Sequence, residues 1–251
     1  MKCFVISLKT ASKRQSHINQ AFSAQGIPFE FFDAITPDIN DAEASRLKLV
    51  IKNTSLSQAE VSCLLSHVAI LQKIVDESIP YGAIFEDDIH LGKGADRFLC
   101  DDNWIPPTMG LIKLEKFNNI ARGQFGSSIK LDSKTELFRL KGRHLGAAGY
   151  IVSHEMARQL LNELSQYDSL GAIDKIIFEE FIIDNKIDVF QLQPAICAQD
   201  SIFNVKNTTL HSGLNADRIV PKKQKISLLK RFKREFDRAV SRRIDFDNYN
   251  I

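Results

Sequence analysis

Residues 3–32 read CFVISLKTASKRQSHINQAFSAQGIPFEFF, and the fold follows from how this stretch divides. Cys3-Phe4-Val5-Ile6 is a compact run of β-favouring residues, long enough for a strand and too short for the core of a signal peptide. Ser12 and Gln15 have capping-box spacing, which predicts a helix running to about Gln25. Gly26 and Pro28 stop that helix, and Phe29 to Phe32 reads as a second strand. A strand, a helix and a strand joined this tightly predict an α/β fold with a mostly parallel sheet and a right-handed crossover.

Further along, Ser57 and Glu60 form another capping box. Val61, Leu64, Leu65, Val68, Leu71, Ile74 and Val75 then recur at helical spacing, and Pro80 closes the segment. Tyr81 to Phe85 is a short apolar strand that delivers Glu86-Asp87-Asp88 where it ends. Residues 101–141 are rich in loop signals, with short strands expected at Leu111–Leu114 and Leu137–Leu140 and room for a mobile lid. Gly146 to Ser153 reads as a strand, His154 to Leu164 and Asp174 to Ile183 as helices, and Val189 to Leu192 as a late strand.

In open α/β sheets ligands gather at the carboxyl ends of the strands, and three carboxylates placed there repel one another unless a cation joins them. Oxygen ligands suit Mg²⁺ or Mn²⁺, either of which can bridge a diphosphate. Taken alone, the acidic run reads equally well as a solvated turn.

The 33 Lys+Arg and 31 Asp+Glu residues nearly cancel, which argues against nucleic acid as a partner of the whole chain. The four cysteines have no CxxC spacing, and no run is long enough to span a membrane, so the sequence reads as a reduced, cytoplasmic protein. The exception to the charge balance is the end of the chain. Lys222, Lys223, Lys225, Lys230, Arg231, Lys233, Arg234, Arg238, Arg242 and Arg243 surround Leu229, Phe232, Phe236 and Val240, which fall at helical spacing. That pattern divides the chain into a main domain over 1–220 and a basic amphipathic tail over 221–251, suited to an anionic membrane surface.

Val5-Ile6-Ser7-Leu8 with Arg14, Ile27 to Ala34, Leu56 to His67, Ala83 to Asp88, Gly149 to Ser153, Asp174 and Gln191 to Ala195 recur in this order in glycosyltransferase family 25, which the chain resembles over about its first two hundred residues. The sequence departs from the family pattern at Ser62-Cys63, often Gly-Cys there, and at Ser7-Leu8, often Asn-Leu. The resemblance implies a GT-A fold and an inverting transfer of galactose or glucose from a UDP-sugar. It implies a lipid-linked oligosaccharide acceptor of lipooligosaccharide, and the basic tail then predicts a peripheral place on the inner membrane. It also implies a metal at the acidic run, held most directly by Asp88, with Glu86 and Asp87 near the ribose and the ion. Inversion needs a base for the acceptor hydroxyl, and Asp174 is the candidate, with a helix first-turn acid as its plain alternative. Ser7, Leu8, Arg14, His67, Gly149 and Tyr150 are expected around the donor, and His211, in Leu210-His211-Ser212-Gly213, as a late metal ligand. The plain alternatives are a solvated charge for Arg14, a packing residue for His67, a buried strand aromatic for Tyr150 and an exposed loop position for His211. The rival readings are a non-catalytic carbohydrate-binding domain of the same fold and a metal phosphohydrolase. The latter would want a nucleophilic aspartate where Ile6-Ser7-Leu8-Lys9 stands.

Overall fold

A computed structural model describes residues 1–204, 210 and 241–246 of the chain. Its opening is the expected β-α-β unit: β1 (Lys2–Ser7), α1 (Ser12–Ser23) and β2 (Glu30–Asp33). The predicted cap of α1 is absent. Ala11 occupies the N-cap and makes no side-chain bond, while Gln15 Nε2 donates 3.0 Å to the Leu8 carbonyl and tightens the turn that leads into the helix. A short α2 (Asn40–Arg46) precedes the long α3 (Gln58–Asp76), where both halves of the Ser57–Glu60 capping box are made.

After α3 come β3 (Tyr81–Glu86), β4 (Ile89–Leu91), α4 (Asp96–Leu99), β5 (Leu111–Lys113), β6 (Ile120–Arg122), β7 (Ile129–Lys130) and β8 (Glu136–Arg139). The loop-rich segment therefore carries four strands, of which β5, β7 and β8 join the main sheet. β9 (Gly149–Ser153) and α5 (His154–Leu164) follow. The helix expected at Asp174–Ile183 is broken into α6 (Ile173–Lys175), a π-helical turn at Ile176–Glu180 and α7 (Phe181–Ile183). β10 (Phe190–Gln193), β11 (Cys197–Gln199), α8 (Asp200–Phe203) and β12 (Ser241–Arg243) complete the described elements.

The main sheet runs β2-β1-β3-β9-β5-β10-β8-β7. The pairings make six strands run one way, with β9 and β8 opposed, so the sheet is mostly parallel in direction. Side chains alternate across a strand, and here the alternation sorts residues into two cores. Phe4, Ile6, Ile84, Tyr150 and Val152 pack with α3 and α5, while Cys3, Val5, Ala83, Phe85 and Ile151 pack with α1 and α4.

Part of the basic tail returns to the domain. β12 pairs with β6, Ile244 is fully buried, and Arg242 meets Glu136 at 3.1 Å while lying over the Phe138 ring. Residues 221–240, where the amphipathic spacing lies, fall outside the described residues.

Gly149 shows how tightly the sheet is packed. A Cβ there would stand 2.3 Å from the Cys197 sulfur and 3.3 Å from the Phe85 ring. Gly149→Ala is expected to lower stability by about 1–3 kcal/mol, the usual cost of overpacking a full core. Removing the obstruction with Cys197→Ala in the same chain should recover much of that loss; urea denaturation of both single variants and the double variant measures it.

Candidate active site

β1 and β3 lie side by side and parallel with Ile6 opposite Glu86, so both strands release the chain at the same edge of the sheet. Strand alternation then sends the acids apart. Glu86 shares the face of Ile84 and turns toward α3, where its Oε1 lies 3.6 Å from His67 Nε2 and its Oε2 accepts from Gln199 Nε2 at 3.0 Å. Asp87 turns toward α1. Its carboxylate accepts from Ser7 Oγ at 2.6 Å and pairs with Arg14 at 2.9 Å. Burial raises the Asp87 pKa, and Ser7 and Arg14 oppose the rise.

Asp88 has no such support. It is buried, and its Oδ1 has no hydrogen-bond partner among the described residues. Its backbone is held, since the Asp88 carbonyl accepts from the Asp200 N–H at 2.8 Å. Burial first, and then the neighbouring Glu86 and Asp87 charges, push the Asp88 carboxyl up to about 8. A partnerless, desolvated carboxylate oxygen beside two further acids matches a hard divalent cation, so the residues present fit Mn²⁺ or Mg²⁺.

Beside these acids opens a cavity of about 330 Å³. Ile6, Ile35 and Pro37 give it apolar walls, while Ser7, Leu8, Arg14, His67 and the three acids also line it. Seven of the expected site residues thus meet around one space, whose size and mixed lining suit a small organic ligand with an anionic end.

The others stand differently. Tyr150 is fully buried, with its hydroxyl 3.0 Å from His67 Nδ1 and its ring stacked on His67, so it supports the site from behind and does not line the cavity. Gly149 makes room for Cys197 and Phe85 and does not line the cavity. Asp174 sits in the first turn of α6, does not line the cavity, and accepts 3.1 Å from the Gly146 N–H. His211 lies outside the described residues.

Two groups escaped the sequence reading. Lys113 and Glu115 are fully buried and 3.2 Å apart; Lys113 also donates to the Gly146 carbonyl and lies over the Phe178 ring, while Glu115 accepts from the Ala148 N–H at 3.0 Å. Burial raises the Glu115 pKa against the pull of Lys113, and the Glu115 charge adds to the field at Asp88. Gly146 has φ +87, and a Cβ on it would stand 2.6 Å from Glu115 Oε1, so glycine is required on both counts. The second group is Gln199 with Asp200, which brace Glu86 and the Asp88 backbone from β11 and α8. The only sequence signal for either was charge or amide placed within apolar runs, with no motif spacing.

The pattern of glycosyltransferase family 25 (LPS biosynthesis protein) matches residues 1–177. The chain is 34% identical over 237 residues to the lacto-N-neotetraose biosynthesis glycosyltransferase LgtB of Neisseria meningitidis serogroup B, covering 89% of this chain and 86% of the relative. It is 35% identical over 225 residues to the lipooligosaccharide biosynthesis protein lic2B of Haemophilus influenzae, covering 86% and 82%. Among solved structures it is similar to a glycosyltransferase involved in the glycosylation of the major capsid of PBCV-1, with a TM-score of 0.44 and 10% identity over 79% of this chain and 91% of that one. A match across most of the chain, together with relatives a third identical over nearly their whole length, makes this chain a member of glycosyltransferase family 25.

Proposed function

We propose that this glycosyltransferase moves a hexose, galactose or glucose, from a UDP-sugar to a saccharide acceptor of lipooligosaccharide, by one inverting displacement on a GT-A framework. The observation that carries this reading is the buried, partnerless Asp88 oxygen at the carboxyl end of β3, next to a cavity of nucleotide size. Asp88, with Glu86 beside it, would hold Mn²⁺ or Mg²⁺, which would supply positive charge to a departing diphosphate. Arg14, fixed by Asp87, keeps further N–H donors for an anionic ligand, and Ile6, Ile35 and Pro37 offer the nucleobase an apolar wall. Asp174, oriented by the Gly146 N–H, takes the proton of the acceptor hydroxyl. The relatives named for lacto-N-neotetraose and lipooligosaccharide biosynthesis support the acceptor class.

Slow metal-dependent hydrolysis of UDP-galactose or UDP-glucose by the purified chain tests the donor without the acceptor. Binding of neither sugar nucleotide, with or without Mn²⁺, would return the chain to the non-catalytic alternative.

Asp88 also sets a pH dependence. Its folded-state pKa of about 8, above the ordinary 3.8, means the native state holds more protons than the unfolded chain between those values. Metal-free protein should therefore lose stability as pH rises from about 4 to 8. Asp87 and Glu115, also shifted upward, act in the same direction. Asp88→Asn should flatten that decline and remove both Mn²⁺-induced thermal stabilisation and turnover. A decline as steep in the variant as in the parent would show that Asp88 does not cause it.

Asp174→Asn should lower kcat by roughly 10²-fold, the usual scale of a general base, while leaving the donor dissociation constant unchanged. Full activity with a lowered melting temperature would leave Asp174 as a helix first-turn acid.

The sequence pattern of residues 221–240 supports reversible attachment to anionic membrane, each cation near such a surface contributing about 1 kcal/mol. Because residues 241–246 pack on the domain, the informative change neutralises Lys230, Arg231, Lys233 and Arg234 together and leaves β12 in place. The parent chain should sediment with phosphatidylserine vesicles at low salt and be released by high salt. The neutralised chain should stay in the supernatant, and equal sedimentation of the two would end the membrane reading.

A further inference from the structure

On the α3 side of the acidic edge, three groups of a different chemistry converge. Cys63 and His67 are one turn apart on α3 and so share a face, and Glu86 approaches them from the end of β3. One ligand atom from each, the Cys63 sulfur, a His67 ring nitrogen and a Glu86 carboxylate oxygen, all lie within 4.8 Å of one another. Tetrahedral ligands around zinc stand roughly 3.5 Å apart given bonds of about 2.0–2.3 Å, so a small inward movement closes the set.

His67 is the decisive member. It is fully buried, and its Nε2 has no hydrogen-bond partner among the described residues. Glu86 Oε1, at 3.6 Å, is too far for a hydrogen bond and close enough for both atoms to bind one ion. The other ring nitrogen is engaged by the buried Tyr150 hydroxyl at 3.0 Å, which holds the imidazole with Nε2 toward Glu86. Metal-binding histidines are oriented in this way, by a bond at the nitrogen that does not bind the ion. Glu86 is prepared similarly, since Gln199 takes Oε2 and leaves Oε1 toward His67.

We propose that Cys63, His67 and Glu86 form a binding site for a zinc-class divalent cation beside the hard-cation site at Asp88, with Glu86 standing between the two. A sulfur, nitrogen and oxygen set selects a borderline-soft ion over Mg²⁺ or Ca²⁺. All three residues line the cavity, so the fourth position opens to it and takes water in the ligand-free protein. On binding, the Cys63 thiol gives its proton to solvent and the thiolate coordinates the ion.

Cobalt, which reports thiolate ligation by colour, tests this without any sugar nucleotide, so the outcome is independent of the proposed reaction. Metal-free full-length protein given one equivalent of Co²⁺ should develop a near-ultraviolet thiolate charge-transfer band, which Zn²⁺ then displaces. Cys63→Ser should lose the band, Asp88→Asn should keep it, and Tyr150→Phe should weaken zinc binding by about 10-fold, the scale of losing a bond that orients a ligand. In the unaltered chain, Zn²⁺ should also slow alkylation of Cys63, read by peptide mass, which requires no variant to fold. The proposal fails if no band forms, if the band survives in Cys63→Ser, if Asp88→Asn abolishes it, or if Zn²⁺ leaves Cys63 alkylation unchanged.

Discussion

A carboxylate taken out of water is among the most costly groups a fold can bury, and its cost must be met by a partner or by a proton. Three carboxylates stand in sequence where β3 ends, Asp87 and Asp88 buried and Glu86 half-buried. Two are answered within the protein: Asp87 by Ser7 and Arg14, and Glu86 by Gln199. Among the described residues Asp88 is answered only along its backbone, and burial together with the Glu86 and Asp87 charges pushes its carboxyl up to about 8. Much of the surrounding architecture serves to keep this imbalance in position. β1 supplies Ser7, α1 supplies Arg14, and β11 and α8 return late in the chain to hold Glu86 and the Asp88 carbonyl.

The division of labour among the acids follows from strand geometry. Successive side chains leave a strand on opposite faces, so Glu86 and Asp87 turn to different helices. The α1 face carries an arginine and a serine, which suit an anion. The α3 face carries a histidine and a cysteine, which suit a soft cation. A one-residue slip of β3 against β1 would exchange these partners, so the pairing of Ile6 with Glu86 fixes the site's chemistry as much as the residues themselves do.

What was legible in the sequence was the part governed by local rules. The β-α-β opening, the long helix after Ser57 and the placement of three acids at a strand end all rest on periodicity and capping, and all are found. The Ser12 cap failed because Ala11 takes the N-cap position and Gln15, eight residues after the end of β1, ties the turn to the Leu8 carbonyl instead. The Lys113–Glu115 pair was invisible for a related reason. Two charges alternating with Ile112 and Leu114 look solvent-facing, and only the packing of β5 between β9 and β10 makes them a buried pair beside Gly146. Gln199 and Asp200 are more than a hundred residues from the acids they brace, a distance over which no local pattern carries information.

Placing two kinds of cation ligand around one cavity has a consequence for metal choice. Affinities of mixed nitrogen and sulfur ligands rise steeply toward zinc, so a histidine or thiolate at the diphosphate would draw the tighter-binding ion into the reaction centre. Asp88 offers only oxygen, and the charged groups acting on it are Glu86, Asp87, Arg14 and Glu115. Cys63 and His67 are kept on the other face, with Glu86 between the two environments. On the proposed reading, a hard ion would come and go with the nucleotide, while a zinc-class ion at Cys63, His67 and Glu86 would stay with the protein. On this view the order Glu86-Asp87-Asp88 matters beyond its charge: the first acid faces the soft ligands, the second holds the arginine, and the third is left for the exchangeable ion.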